Sequence, residues 1–321
     1  DWYPEFQGFE ENRGGCDYGQ PPSFFDPYNQ PNGKHESLRE GIYQLPGRNA
    51  GEYLTHREAD EAIELITQWK DEPFFIQLSH YAVHTPIQAL AEVAAKYEDK
   101  PGETQQNAKY AAMVESVDDA MGSLFEVLEE HEINDRTVIL FTSDNGGLDR
   151  NSSPTDNAPL RSGKGYAYEG GIRVPFIVWH PDRIPAGEVS DTPVSSVDIF
   201  PTFLELAGVE PPDDRPIDGL SLVSHLESGG LESLERDELI WHFPHYRHDP
   251  GPYSIIRQGN WKLIKLWEGL YELYDLENDL SETTNLAAKH PDKVGELEAA
   301  LLQQLEESEA KLPILNPDYK D

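Results

Sequence analysis

Positive charge is scarce in this chain. Lys and Arg number 25 against 60 Asp and Glu in 321 residues, a formal net charge of −35 at pH 7. A nucleic-acid partner needs a basic face, and an anionic membrane surface needs polybasic segments; neither is available here. Cysteine is nearly absent. One residue, Cys16, allows no internal disulfide and says nothing firm about redox compartment. No stretch of about twenty apolar residues occurs, so no membrane-spanning helix is expected. No secretory signal opens the sequence and no internal repeat is visible. The acidic excess is spread along the chain and not gathered in a tail. It fits adaptation to a salty medium, where a Debye length of ~3 Å at ~1 M screens self-repulsion, and it equally fits an ordinary acidic secreted enzyme.

What remains has the length for one large domain and a smaller one. Residues 1–50 are rich in Gly, Pro, Tyr, Phe and Asn with little periodicity, and read as a long irregular segment lining a site. Asp60 to Trp69 reads as a short helix with Ala62, Ile63, Ile66 and Trp69 on one face. Pro73 to Leu78 reads as a buried strand. Ala108 to Glu130 is the best helix, with Tyr110, Val114, Val117, Met121, Leu124 and Leu128 as its apolar stripe. It feeds the apolar run Thr137–Phe141, and Phe176–Trp179 is a further strand. After Gly208 a Pro- and acid-rich connector runs to Pro216. Asp237–Phe243, Tyr253–Leu266 and Tyr271–Leu276 then read as strands of a small antiparallel sheet, closed by a helix from Lys293 to Ala310.

Three polar clusters follow strands. Asp144-Asn145-Gly146-Gly147 comes directly after Thr137–Phe141, where open α/β sheets place their ligands. A carboxylate and an amide oxygen there suit a hard cation such as Ca²⁺ or Mg²⁺; a plain Asn-Gly turn would need no metal. Ser79-His80 and His84-Thr85-Pro86 follow Pro73–Leu78. Lys164 lies between Gly163 and Gly165 in Pro159-Leu160-Arg161-Ser162-Gly163-Lys164-Gly165, where the missing side chains permit close approach to an anion. A cation, a Lys and a His converging on one point would make a site for a tetrahedral oxyanion.

The order of these clusters, with Tyr168-Glu169-Gly170-Gly171-Ile172-Arg173-Val174-Pro175 after them, resembles the type I, formylglycine-dependent sulfatases of the alkaline phosphatase-like superfamily. Ser196-Val197-Asp198-Ile199-Phe200-Pro201-Thr202 is similar to another family segment. Ile256 to Ile264, Glu272 to Leu276 and Asn285-Leu286-Ala287 resemble the family's C-terminal subdomain. The likeness runs from Gln7-Gly8-Phe9 to Asn316-Pro317. It implies an α/β fold: a central mixed sheet sandwiched by helices over 1–220, and a C-terminal α+β subdomain, a four-stranded antiparallel sheet plus helix, over 221–321. It implies sulfate-ester hydrolysis on a sulfated carbohydrate or aryl sulfate. It further implies Asp144 and Asn145 as ligands of one Ca²⁺, Lys164 on the sulfate oxygens, and His84 at the sulfate and its leaving oxygen. His80 competes with His84 for that role. Location in the periplasm or outside the cell follows from the resemblance alone, and no oligomeric state does.

The chain also departs from the family pattern. The nucleophile there is a cysteine, oxidised to formylglycine, in a Cys-x-(Pro/Ala/Ser)-x-Arg context. Cys16 sits in Gly14-Gly15-Cys16-Asp17-Tyr18-Gly19-Gln20, with neither Pro nor Arg at that spacing. The family's first acidic metal pair is missing too. The expectation is a sulfatase without its amino-terminal strands and helices, holding a partial Ca²⁺ site and inactive alone. Two other functions share these residues, a phosphoryl or phosphonate ester hydrolase and a non-catalytic binder of sulfated glycans. Trp241-His242-Phe243-Pro244-His245-Tyr246-Arg247-His248 could contribute His242, His245 and Arg247 to a substrate rim; a strand end with exposed histidines and a zinc site are the alternatives. Asp318 to Asp321 resembles the start of an epitope tag.

Overall fold

The computed structural model describes residues 3–34, 39–100, 107–149, 154–246 and 251–314, so Arg247, His248, Asn316-Pro317 and Asp318 to Asp321 lie outside it. It divides into two compact units, Asp1–Val138 and Ile139–Asp321.

The first unit is built on helix α1 (Leu54–Trp69), the single turn α2 (Ala91–Ala94) and helix α3 (Ala108–Glu130). Helix α1 starts six residues earlier than its apolar periodicity implies. Its buried face contains Arg57, Glu58 and Glu61 beside Ala59, Ala62, Leu65 and Ile66, so charge masks the stripe. The charges are paired. Arg57 and Arg48 meet Glu61 Oε1, and Arg13 Nη1 lies 2.5 Å from Glu61 Oε2. Helix α3 has the predicted bounds. Asn107 caps it, its side chain accepting from Tyr110 N–H at 3.0 Å. Its buried stripe, however, is Ala112, Met113, Ser116, Ala120, Leu124, Val127 and Leu128, whereas Val114 is 47 % exposed. The small residues at 112, 116 and 120 suit a close helix–helix approach, and α1 and α3 do pack together. Phe24, Tyr28, Ile42, Leu45 and Tyr53 form a core with Leu54 and Met113, so part of the Gly- and Pro-rich segment is structural.

The predicted strand at Pro73–Leu78 pairs with nothing among the described residues. Its burial still alternates: Phe74, Ile76 and Leu78 are half-buried, Phe75 and Gln77 exposed. The side-chain pattern of a strand is present, but a strand is assigned only where a neighbour completes its ladder.

The second unit holds two antiparallel sheets. Strands β1 (Ile139–Thr142) and β2 (Phe176–Trp179) form a ribbon in which Ile139 faces Trp179 and Thr142 faces Phe176. Three helices of eight residues or fewer, α4 (Glu169–Ile172), α5 (Ile199–Leu206) and α6 (Val223–Glu227), lie between β1 and the second sheet in the chain. That sheet runs in order β3 (Glu238–Phe243), β4 (Tyr253–Gln258), β5 (Trp261–Leu266), β6 (Leu270–Asp275). The single run expected over Tyr253–Leu266 is two strands, because Gly259 turns the chain at φ 56°. Helix α7 (Pro291–Glu307) seats Leu297, Leu301 and Leu305 on Ile256, Leu263 and Leu273. The other face of the sheet packs Ile255, Ile264, Leu266 and Tyr274 against Ala167 and Tyr168.

Candidate functional site

Antiparallel pairing sets the carboxyl end of β1 beside the segment that enters β2. The Asp144–Gly147 turn and the 159–175 loop therefore meet. Thr142 Oγ1 donates to Pro175 O at 3.0 Å, Gly146 N–H to Gly171 O at 3.1 Å, and Lys164 N–H to Gly147 O at 3.0 Å. Asn157 completes the lock, its side-chain amide donating to Gly147 O and Ser162 O at 2.9 Å each. Glycine is obligatory here for space at several positions. A Cβ on Gly146 would collide with the Gly170 carbonyl, one on Gly163 with the Gly147 carbonyl, and one on Gly170 with the Ser162 carbonyl.

At the turn, Ser143 Oγ donates to Asn145 O at 2.9 Å, and the Asn145 amide donates to Asp144 Oδ2 at 2.5 Å. Asp144 is exposed and Asn145 half-buried. Two adjacent hard-oxygen side chains at a strand end are the donor chemistry of Ca²⁺, but that ion takes six to eight oxygens. Among the described residues no group of three or more His, Cys, Asp or Glu gathers that could hold a metal. The residues present thus fit such an ion as two ligands of a larger set.

Lys164 is half-buried in a loop whose frame is polar and deep. Arg161 Nη1 donates to Tyr274 OH at 2.9 Å and to Glu282 O at 2.8 Å, and its guanidinium sits 3.7 Å above the Tyr168 ring. Glu169, which begins α4, receives Lys262 Nζ at 2.9 Å on Oε1, and its own N–H donates to Glu282 Oε2 at 2.7 Å. Lys262 Nζ is also 2.8 Å from Glu282 Oε1, and Lys262 and Glu282 are fully buried. Burial pushes the Glu282 carboxyl above the usual carboxylate range, against the opposing pull of Lys262. Burial and the nearby Glu272 raise the Tyr168 phenol to about 12. Arg161, Glu169 and Tyr168 are therefore framework residues, a role that the motif's spacing did not reveal.

The His-Thr-Pro segment belongs to the first unit. Buried Glu58 on α1 holds it: Glu58 Oε2 is 2.7 Å from His80 Nδ1, and Oε1 accepts from Tyr81 N–H at 3.5 Å. His80 is thus committed to the fold, with a side chain only 9 % exposed. His84 is half-buried, and its Nδ1 lies 3.0 Å from Thr85 O. The same nitrogen is 3.1 Å from Thr85 Oγ1. Cys16 Sγ is 3.2 Å from Tyr81 OH on the same segment.

On β3, His242 has both ring nitrogens engaged, Nδ1 with Ser254 Oγ at 2.7 Å and Nε2 with Lys311 O at 3.0 Å. His245 is exposed, with its ring edge-on to Phe243. Asp198, in the third family segment, is fully buried and gathers the chain around it. It accepts from Ser195 N–H at 2.8 Å, Leu220 N–H at 2.9 Å and both terminal nitrogens of Arg236.

Comparison with known proteins bears on the family and the fold. A family model described as Sulfatase matches residues 1–209, and one described as N-sulphoglucosamine sulphohydrolase, C-terminal, matches residues 162–311. A sulfatase of Formosa agariphila is 38 % identical over 243 residues, covering 69 % of this chain and 43 % of its own length. The N-acetylgalactosamine-6-sulfatase of Homo sapiens is 33 % identical over 245 residues, covering 72 % and 44 %. The crystal structure of Ps i-CgsB in complex with k-i-k-neocarrahexaose superposes with a TM-score of 0.71 at 31 % identity, over 81 % of this chain and 56 % of that one. The chain thus spans less than half the length of these curated relatives.

Proposed function

The chain belongs to the sulfatase family, and from that premise we propose that the whole protein hydrolyses sulfate esters of a carbohydrate or aryl sulfate. The observation that carries this reading is the backbone lock between the Asp144–Gly147 turn and the Lys164 loop. It sets a hard-oxygen pair and a cationic side chain on neighbouring loops of one strand end. Asp144 and Asn145 would hold one Ca²⁺ with ligands from elsewhere in the protein. That ion would supply positive charge against the sulfate oxygens. Lys164 binds the same oxygens as a point charge. His84 assists the leaving alcohol; His80, already bonded to Glu58, is the poorer choice.

A sulfate ester is an anion and the chain carries −35, so these cations must reverse the field locally. The formylglycine nucleophile falls outside these 321 residues, since Cys16 lacks the required context. This chain alone is therefore expected to be inactive. Carbohydrate sulfates are the favoured substrates because relatives named above carry sugar sulfatase or neocarrahexaose in their descriptions. His242, held by Ser254 and Lys311, would line the substrate rim together with His245 and Arg247. The division into 1–220 and 221–321, and a periplasmic or extracellular location, belong to the same reading. Among the described residues no helix is long and apolar enough to cross a membrane.

The test is turnover by the whole protein on a panel of sulfated sugars, aryl sulfates and matched phosphate esters. Sulfate hydrolysis that falls about 10²-fold or more in Lys164→Ala and His84→Ala is expected. Preference for phosphate esters would replace the reading with phosphoryl transfer. Turnover of neither, with retained glycan binding, would leave a binding protein.

A further inference from the structure

We infer that the C-terminal sheet positions both ligand-bearing loops, the Asp144–Asn145 turn and the Lys164 loop, through a buried clamp of Lys262, Glu169 and Glu282 backed by Arg161. The inference rests on the roles given above to Asp144, Asn145 and Lys164.

The clamp starts on β5. Lys262 faces Arg257 of β4 and Tyr274 of β6 in register, so its stem is fixed from both sides by sheet ladders. A fully buried ammonium has no water to fall back on and must keep fixed partners. Those partners are Glu169 and Glu282, at 2.9 and 2.8 Å. Around them Arg161, Arg173, Arg257 and Lys262 stand among Glu169, Glu272 and Glu282. The motif residue Glu169 is gripped twice, by its carboxylate and by its backbone N–H.

From Glu169 the link to the loops is all backbone. Gly170 N–H donates to Arg161 O at 3.0 Å, Gly171 O accepts from Gly146 N–H at 3.1 Å, and Gly147 O accepts from Lys164 N–H at 3.0 Å. The glycines leave no slack, because a Cβ at 146, 163, 170 or 171 would strike a facing carbonyl. A shift at Glu169 must therefore reach both loops within a few residues. Lys262 touches no substrate in this account; it is a positioning residue.

Amide hydrogen exchange on the whole protein tests this, comparing wild type with Lys262→Met. Exchange at Gly146, Lys164 and Gly170 should quicken about tenfold while the β4 and β5 amides stay within about twofold. Unchanged loop amides would overturn the inference. If Lys262→Met loosens the sheet as a whole, Arg161→Gln decides, since that side chain lies outside the buried triad. Selective loop exchange in that variant supports the clamp, and none overturns it. A titration with inorganic sulfate, followed by NMR in wild type and Lys164→Ala, separates the two readings. Equal binding would remove the anion role of Lys164 and leave the exchange data to judge the clamp.

Discussion

The two sheets of the second unit are written in the same alphabet and buried very differently. Ile-Leu-Phe-Thr of β1 is half-buried throughout, and Ile177 of β2 is 59 % exposed. In β4 and β5, by contrast, Ile255, Ile256 and Leu263 are fully buried and Ile264 nearly so. The difference is what covers each sheet. Helix α7 closes one face of the larger sheet, and the Ala167–Tyr168 segment closes the other. The ribbon owes its place to polar ties instead: a turn threaded with glycine carbonyls, an Asn157 amide, and Arg161 and Glu169 anchored on the larger sheet. Within the described residues the two candidate loops thus sit on the less covered element and are tied to the better covered one.

Removing the buried carboxylate of Asp198, in the stretch of chain between the two sheets, should have the largest effect. Asp198 joins Ser195 and Leu220 to Arg236, two residues before β3, and it is fully buried. Asp198→Ala strands the Arg236 guanidinium and two backbone N–H groups. It should cost about 3–5 kcal/mol in urea unfolding, and a loss under about 1 kcal/mol would mean the segment rearranges freely. Leu263→Ala opens a cavity under α7 and should cost about 2–5 kcal/mol. A smaller effect follows from pH. Burial raises the folded-state affinity of Glu282 for its proton above that of the ordinary carboxyl at 4.5. Its contribution to stability is present below about that pH and is lost as pH rises through the folded value. The unfolding free energy of wild type in urea should therefore fall relative to Glu282→Gln as pH is raised from 4 toward neutrality, by about 1.4 kcal/mol per unit of displacement. A constant difference would show that Lys262 fully compensates the burial.

Much of this was legible in the residues. The bounds of helix α3 and the presence of the closing helix follow from apolar spacing, whereas the buried stripe of α3 shares only Leu124 and Leu128 with the expected one and the run over Tyr253–Leu266 is two strands. The start of α1 did not, since Arg57 and Glu61 are buried by pairing with each other and with Arg13 and Arg48, and Glu58 by pairing with His80. Periodicity counts hydrophobes and cannot see a satisfied charge. Phe74 to Leu78 shows the converse: the alternation is real, yet a strand also needs a neighbour. In the proposed site, Asp144, Asn145 and Lys164 are candidates by residue type next to glycine. Arg161 and Glu169 have equally chemical side chains but work as framework, and their partners Tyr274, Lys262 and Glu282 lie about a hundred residues away. Only the fold could separate those two uses of charge.

The smallest expected effect sharpens the contrast most. Ile177 stands opposite Phe141 in the ribbon and projects to solvent. Ile177→Thr keeps the β-branched shape that suits a strand and removes little buried area. Its cost should be within about 0.5 kcal/mol, against several for Leu263→Ala, although both sites are apolar strand positions in one unit. The measurement is urea unfolding at two protein concentrations tenfold apart. A loss of about 2 kcal/mol that grows with concentration would mean that a second copy covers the exposed face, since association adds to stability by mass action. A large loss independent of concentration would mean that the ribbon is packed from within its own unit, and the division of labour between the two sheets would fail.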